Sequence, residues 1–182
     1  MPITITVPAA NFFDQVQNRF IVTKETTLTF EHSLISISKW ESKWHKPFLN
    51  TMKKTVEESI DYYRCMCLSK DVDPNVFYAL SQNNVKTISD YIADPMTAKK
   101  FKQKDNNKAS NEIVTSDLIY FWMSNFSIPF VPCEKWHLNR LMTLIHIASI
   151  KNSPKKKMGK QEAASQRAAL NAQRKAKYHT RG

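Results

Sequence analysis

The sequence predicts an α+β protein that is mostly helical: a small N-terminal antiparallel sheet or hairpin packed on a helical bundle, with a basic C-terminal helical arm. Three observations predict this class. Residues 3–31 contain short runs in which branched and polar side chains alternate, as in strands. From about residue 33 to 150, apolar residues recur at spacings of three and four, as in helices. Within the basic segment 151–182, residues 160–177 combine high helix propensity with few side chains to bury.

The charge distribution separates a body from a tail. Residues 151–182 hold ten Lys and Arg and one acid, Glu162, whereas residues 1–150 hold 17 basic and 15 acidic residues. A nearly neutral body therefore carries a cationic appendage. We predict a globular body over 1–150, with strands in about 1–31 and helices in about 33–150, and a basic, helix-prone tail over 151–182.

Three short strands are predicted near the N-terminus. They are "ITITVP" at 3–8, "FIVT" at 20–23 and "TTLTFE" at 26–31. The stretch between the first two, "AANFFDQVQNR" at 9–19, is predicted to be a connection. We expect the strands to pair as a hairpin or a small antiparallel sheet.

The first predicted helix carries four large apolar residues on one side: Ile37, Trp40, Trp44 and Phe48. Pro47 marks the end of this helix. The two tryptophans have two interpretations, because exposed aromatics flanked by lysines could stack nucleic-acid bases, whereas core tryptophans would leave the lysines on a solvated side. The register of Trp40 and Trp44 with Ile37 favours the core interpretation.

Capping signals predict the next helices. Thr55 and Glu58 have the spacing of a capping box, which predicts a helix over 55–67. Asp73 and Pro74 supply a cap and a first-turn proline. The remaining predicted elements in this part of the chain are a short helix near 74–82, a helix over 84–94 that Pro95 ends, and an exposed loop over 102–111.

Two helices are predicted to complete the body. The stretch "NEIVTSDLIYFWMSNF" at 111–126 is apolar on nearly all sides over its middle, which is typical of a central helix. Pro132 is expected in the first turn of a last helix over 133–150. That helix carries an apolar stripe of Leu138, Leu141, Met142, Ile145 and Ala148. We expect the two helices to form an antiparallel pair under the N-terminal sheet.

The sequence argues against several classes of enzyme. Gly159 and Gly182 are the two glycines of the chain, so residues 1–158 cannot form a glycine-rich phosphate-binding loop. Glu134 and His137 share a helical spacing, but a carboxylate-bridged metal centre needs that pair twice. Cys133 at a helix start lacks a visible orienting partner, and a buried, inert thiol is the commoner case. We predict no enzymatic activity, no cofactor and no metal.

The sequence also bears on the compartment. Three cysteines form no disulfide framework, and the N-terminus has no basic start followed by an apolar run. The longest apolar run, "LIYFWM" at 118–123, is too short to span a bilayer. We expect a soluble cytosolic protein that does not bind membranes.

The tail is the clearest candidate binding segment. Its cations would attract nucleic acid or an acidic protein surface, although a solvated solubility tail has the same composition. Tyr178 is the single aromatic residue available for stacking, which argues against base-specific recognition. The predicted partner-binding residues are Lys155, Lys156, Lys157, Arg167, Leu170, Arg174, Lys175, Lys177 and Arg181.

Several stretches together resemble a family of small proteins encoded among the tail genes of phages with long, non-contractile tails. They include "FEHSLISISKWESKWHKPFL" at 30–49, "EIVTSDLIYFWM" at 112–123, "IPFVPCEKWHLNRLMTLIHIASIKN" at 128–152 and "LNAQRKAKYHTRG" at 170–182. The resemblance covers about residues 26–182. It implies a tail assembly chaperone, which would act in the host cell cytoplasm.

In such chaperones the expected partner is the tape-measure protein, or another tail protein, kept soluble until tail-tube subunits polymerise around it. Self-association is also possible. Two other classes remain open: a structural virion protein of the head–tail connector or tail-terminator type, and a protein that binds nucleic acid through its basic tail.

Overall fold

The computed structural model describes residues 2–14, 18–50, 53–98, 112–152 and 160–178 of the chain. It confirms a mostly helical α+β protein with an N-terminal hairpin set. The strands are β1 (Ile3–Val7), β2 (Ala10–Asp14), β3 (Arg19–Thr23) and β4 (Thr26–Phe30). The helices are α1 (Leu34–Trp44), α2 (Val56–Met66), a 3₁₀ helix (Pro74–Ala79), α3 (Gln82–Ala93), α4 (Ser116–Asn125), α5 (Phe130–Cys133), α6 (Leu138–Asn152) and α7 (Lys160–Tyr178).

The four strands form two antiparallel ladders in one shared register. Ile3 lies opposite Phe30 in the β1–β4 ladder, and Ala10 lies opposite Thr23 in the β2–β3 ladder. One hairpin therefore runs through both ladders and is interrupted at Pro8, which has no N–H to donate. The prediction that 9–19 is a connection was wrong. Strand β2 occupies part of it because pairing with β3 overrides the weak strand propensity of its polar residues.

The half of this hairpin formed by β1 and β4 belongs to the core. Val7, Leu28 and Phe30 are fully buried on one face of the β1–β4 ladder. Its outer edges are covered: the Asn84 side chain of α3 donates to the Thr6 carbonyl at 2.9 Å. On the other side, the backbone N–H of Leu68 donates to the Thr29 carbonyl at 2.8 Å. The hairpin thus anchors the N-terminus among the helices.

Helix α1 begins at a capping box and ends earlier than the apolar spacing predicts. The Ser33 and Ser36 side chains each accept a backbone N–H of the other. His45 takes a left-handed backbone conformation with φ of 51°, which ends the helix. Phe48 therefore lies outside α1, yet it turns back so that its ring centroid lies 5.2 Å from that of Trp40.

The interpretation of Trp40 as a core residue is confirmed, since the side chain is 1% exposed. Trp44 is partly buried beside it, with the two rings stacked at 6.2 Å. The long-range partner of Trp40 is the Glu58 carbonyl, which accepts the indole N–H at 2.8 Å. A base-stacking platform would need both rings in solvent, and Trp40 cannot serve as one.

The capping signals of the middle helices are confirmed. Thr55 and Glu58 form the predicted capping box at the start of α2. Asp73 accepts the Asn75 N–H at 2.9 Å and begins the 3₁₀ helix. Helix α3 ends at Ala93, two residues before the predicted proline stop. The loop predicted over 102–111 lies outside the described residues.

Helix α4 is not the central helix that its composition predicts. It begins at Ser116, after the Thr115 cap, and its fully buried residues on one side include Ile119 and Met123. Phe121, on another side, is 59% exposed. Among the described helices, α4 packs against α1, where the Glu41 carboxylate accepts the backbone N–H that opens α4 at 2.8 Å. Although α4 is apolar on nearly all sides, the Phe121 side chain therefore remains largely exposed to solvent.

The last body helix starts later than predicted. Pro132 lies in the separate short turn α5, and α6 begins at Leu138. Of the predicted apolar stripe, Leu138, Leu141 and Ile145 are buried on α6, whereas Met142 and Ala148 are partly buried. The start of α6 is bonded to the residues that precede α1, because the Leu138 N–H donates to the His32 carbonyl at 2.7 Å. The expected antiparallel pairing of α4 with α6 stays a prediction.

The chain divides into two compact units, Met1–Ser149 and Ile150–Gly182. The first contains the hairpin and the core helices. The second contains the last residues of α6 and the whole of α7. In the described part of the chain, no helix combines the length and the apolarity needed to cross a membrane.

Candidate binding surfaces

The half of the hairpin formed by β2 and β3 has two unlike faces. On one face Ile21 and Thr23 are buried against the body. On the other, Phe13, Phe20 and Val22 are 45%, 71% and 70% exposed. The alternation of strand side chains produces this division, since residues two apart share a face. We call the exposed face of Phe13, Phe20 and Val22 the hairpin face.

Cross-strand pairing organises the hairpin face. Phe13 lies directly opposite Phe20, and their ring centroids are 5.1 Å apart in an edge-to-face arrangement. Such pairs hold their rings in defined positions, at separations typical of favourable aromatic contacts. The hairpin face is therefore an ordered apolar surface, and neighbouring exposed apolar residues of this kind mark interaction sites more often than scattered ones do.

An open strand edge adjoins the hairpin face. In the described residues, β2 pairs with β3 on one side and with no other strand. The strands β1 and β4 differ, because polar groups from the helical body reach their outer edges. An unpaired edge beside exposed aromatics offers both backbone hydrogen bonds and apolar area to a partner.

The hairpin face is not among the sites predicted from the sequence. Its residues fell in or beside the stretch predicted as a connection at 9–19. The sequence did contain a signal for it, because the register that pairs 3–7 with 26–30, continued towards the turn, pairs Phe13 with Phe20. Extending that register along both strands is enough to place the two phenylalanines opposite each other.

The predicted partner-binding residues of the tail fall into two groups. Arg167, Leu170, Arg174, Lys175 and Lys177 are all exposed on α7. Lys155, Lys156, Lys157 and Arg181 lie outside the described residues. We call the exposed stretch 164–178 of α7 the arm.

The arm differs electrostatically from the body. No Asp or Glu occurs in 164–178, so its cations have no carboxylate within the same segment. In the body, by contrast, Lys43 contacts the Asp61 carboxylate at 2.7 Å and Lys46 contacts that of Glu58 at 2.6 Å. Lys43 and Lys46 thus balance buried acids, whereas the sequence of the arm contains no acid.

The Asp61 carboxylate is the centre of the lysine–tryptophan cluster. The indole N–H of Trp44 donates to it at 2.9 Å, alongside Lys43. Burial favours the neutral form of Asp61, but hydrogen bonds from Lys43 and Trp44 and the charge of Arg64 outweigh it and lower its pKa. These contacts join α1 to α2 and describe a structural cluster.

A buried polar chain links the hairpin, α2 and α3. The His32 ring bonds the Tyr62 hydroxyl, and the Tyr91 hydroxyl donates to the Glu31 carboxylate. The Nε2–H of His137 donates to the Tyr91 carbonyl at 3.0 Å. These groups are each hydrogen-bonded in the core, and the chain of contacts fixes the relative positions of three elements.

The candidate metal and nucleophile residues take separate partners. The Glu134 carboxylate accepts the Tyr120 hydroxyl at 3.1 Å, whereas His137 bonds the backbone of α3. Cys133 is 4% exposed in the core. Within the described ranges, no group of three or more His, Cys, Asp or Glu side chains is arranged to hold a metal ion.

Comparison with known proteins found no matching family model, no matching curated protein and no matching solved structure.

Proposed function

We propose that the protein is a non-enzymatic tail assembly chaperone that binds the tape-measure protein during phage tail morphogenesis, in the host cell cytoplasm. The observation that carries this proposal is the hairpin face, an ordered apolar surface exposed on a folded body. The resemblance of residues 26–182 to phage tail proteins supplies the identity of the partner.

The chemistry of the proposed contact is burial of apolar surface. A chaperone for a long helical protein must cover apolar helix faces that would otherwise aggregate. Phe20 and Val22 are 71% and 70% exposed, so most of their side-chain area remains available to a partner. Fully burying a side chain of this size contributes roughly 1.5–3 kcal/mol, and aromatic anchors dominate many protein interfaces.

Co-expression tests the proposal directly. The tape-measure protein encoded with this chain is produced alone, with the natural chain, and with a Phe20→Ser variant. We expect the natural chain to keep the tape-measure protein in the soluble fraction and to co-purify with it. The Phe20→Ser variant should lose most of that effect, because it removes the most exposed aromatic anchor without opening the core.

A matched variant controls for the loss of any exposed aromatic residue. Phe121→Ser changes a side chain that is 59% exposed on α4, an element that is not part of the hairpin. It should solubilise the tape-measure protein as well as the natural chain does. A tape-measure protein that stays soluble without this chain, or equal effects of the two variants, would contradict the proposal.

The main alternative is a structural virion protein. Mass spectrometry of purified virions distinguishes the two roles, because an assembly chaperone is absent or scarce in the finished particle. If this chain is instead abundant in purified virions, in amounts comparable to those of known structural proteins, it is a structural component.

A further inference from the structure

We propose that the arm binds the sugar–phosphate backbone of nucleic acid without reading its sequence. This activity is separate from the proposed contact with the tape-measure protein, which uses the hairpin face. The charge, the composition and the helical geometry of residues 164–178 support this inference.

The charge of the arm is of one sign along its whole length. Arg167, Arg174, Lys175 and Lys177 are exposed, and no carboxylate lies between 164 and 178. Clustered cations on one helix lower the free energy of a nearby polyanion, mainly through the release of counterions that the polyanion had condensed. The arm therefore has the charge complementarity that a phosphate backbone requires.

The composition of the arm favours nucleic acid over an acidic protein as the partner. Protein interfaces are enriched in large apolar anchors and depleted in lysine. On the arm, Leu170 and Tyr178 are the large apolar side chains, and the other apolar residues are alanines. Interfaces with nucleic acid are far more positively charged than those between proteins, and they tolerate the absence of such anchors.

The geometry of the arm fits a duplex. Arg167 and Arg174 are seven residues apart, so they lie on nearly the same side of the helix about 10.5 Å apart along its axis. Lys175 and Lys177 lie on either side of that line, and the four cations together span about 160° of the circumference at 3.6 residues per turn. A helix about 10–12 Å across enters a major groove about 12 Å wide, where cations spread in this way reach phosphates on both walls.

The arm lacks the residues that read bases. Tyr178 is its one aromatic side chain, and the Lys177 ammonium lies 5.7 Å from the centre of that ring. Bidentate recognition of guanine by Arg needs a side chain held in place by neighbours, whereas every side chain of the arm is exposed. Binding should therefore depend on salt and not on sequence.

Fluorescence anisotropy with the full chain tests the inference. The probe is a short labelled duplex DNA of random sequence, titrated at several salt concentrations. Four phosphate contacts predict a loss of affinity of about a hundredfold between 50 and 200 mM salt. The double variant Arg167→Gln/Arg174→Gln should reduce the slope of log K against log salt by about two, because each cation accounts for about one unit.

Two controls make the result decisive. Lys39→Gln/Lys86→Gln removes the same charge from exposed positions on α1 and α3, and it should leave the slope unchanged. Poly-glutamate, added as a competitor at equal charge, represents an acidic protein surface and should displace the duplex poorly. No binding to duplex DNA, an equal loss in both double variants, or tighter binding to poly-glutamate would each overturn the inference.

Discussion

Two buried histidines connect single residues to the stability of the body. His32 is 2% and His137 is 3% exposed, and their rings lie 5.1 Å apart. Burial, and next the charge of His137, lower the pKa of His32 to about 3. Burial also lowers the pKa of His137, against the opposing effects of the Tyr91 carbonyl and the Glu31 charge. Both rings are therefore neutral in the folded protein at neutral pH.

This pair predicts a loss of stability in mild acid. The unfolded chain binds a proton at each histidine below a pH of about 6.5, whereas folded His32 does so only near 3. The free energy of unfolding should thus fall as the pH drops from about 6.5 towards 3, by up to about 1.4 kcal/mol per pH unit for each neutral histidine. Denaturant unfolding at a series of pH values measures the slope.

Variants at two histidines identify the source of that slope. His32→Asn removes one titrating ring from the core and should make the dependence on pH between about 6.5 and 4.5 shallower, even if it lowers stability at every pH. His45→Asn is the matched control, because His45 is exposed and Asn tolerates its left-handed backbone. A slope that is the same in His32→Asn as in the natural chain would show that other groups cause the dependence.

At the residue scale, the sequence predicts which side chains enter the core better than what they contact there. The register of Trp40 with Ile37 is enough to predict its burial, because both lie on one side of α1. The Glu58 carbonyl that accepts its indole N–H and the Asp61 carboxylate beside Trp44 come from α2. Contacts of this kind depend on how two helices meet, and no local pattern encodes that.

At the scale of elements, a capping box defines the start of α2. The Thr55 hydroxyl accepts the Glu58 N–H at 3.2 Å, and the Glu58 carboxylate accepts the Thr55 N–H at 2.8 Å. We expect Thr55→Ala to lower the free energy of unfolding by about 1 kcal/mol, the usual effect of losing such a cap. Thermal or denaturant unfolding monitored by circular dichroism gives the value.

A second threonine provides the comparison. Thr87→Ala removes an exposed hydroxyl inside α3 that bonds the backbone of its own helix at 2.9 Å. Its effect should stay within about 0.5 kcal/mol of zero, as for most surface substitutions. If Thr55→Ala proved as mild as Thr87→Ala, the capping box would not stabilise α2.

The elements that the sequence predicts correctly are those that carry their own boundary signals. Thr55 and Asp73 mark helix starts by local hydrogen bonds, so α2 and the 3₁₀ helix are found near their observed positions. Strand β2 carries no such signal, since its structure depends on pairing with β3. For helix α4 the composition predicted more burial than the structure shows, because composition alone does not indicate which of its apolar residues other elements will cover.

At the scale of the whole molecule, the division of charge matches a division of chemistry. The folded body pairs Lys43 and Lys46 with buried acids and presents aromatic side chains on the hairpin face. The arm has no large aromatic surface except Tyr178 and no acid. The sequence predicts the cationic segment because charge is counted directly, whereas the hairpin face appears only once the strands are paired.

Hydrogen exchange of the complex with the tape-measure protein tests the central claim most directly. If the hairpin face is the contact, backbone amides of 10–14 and 19–23 should exchange more slowly in the complex than in the free chain, while those of 116–125 on α4 keep their rates. Protection of α4 with no change in β2 and β3 would contradict the account.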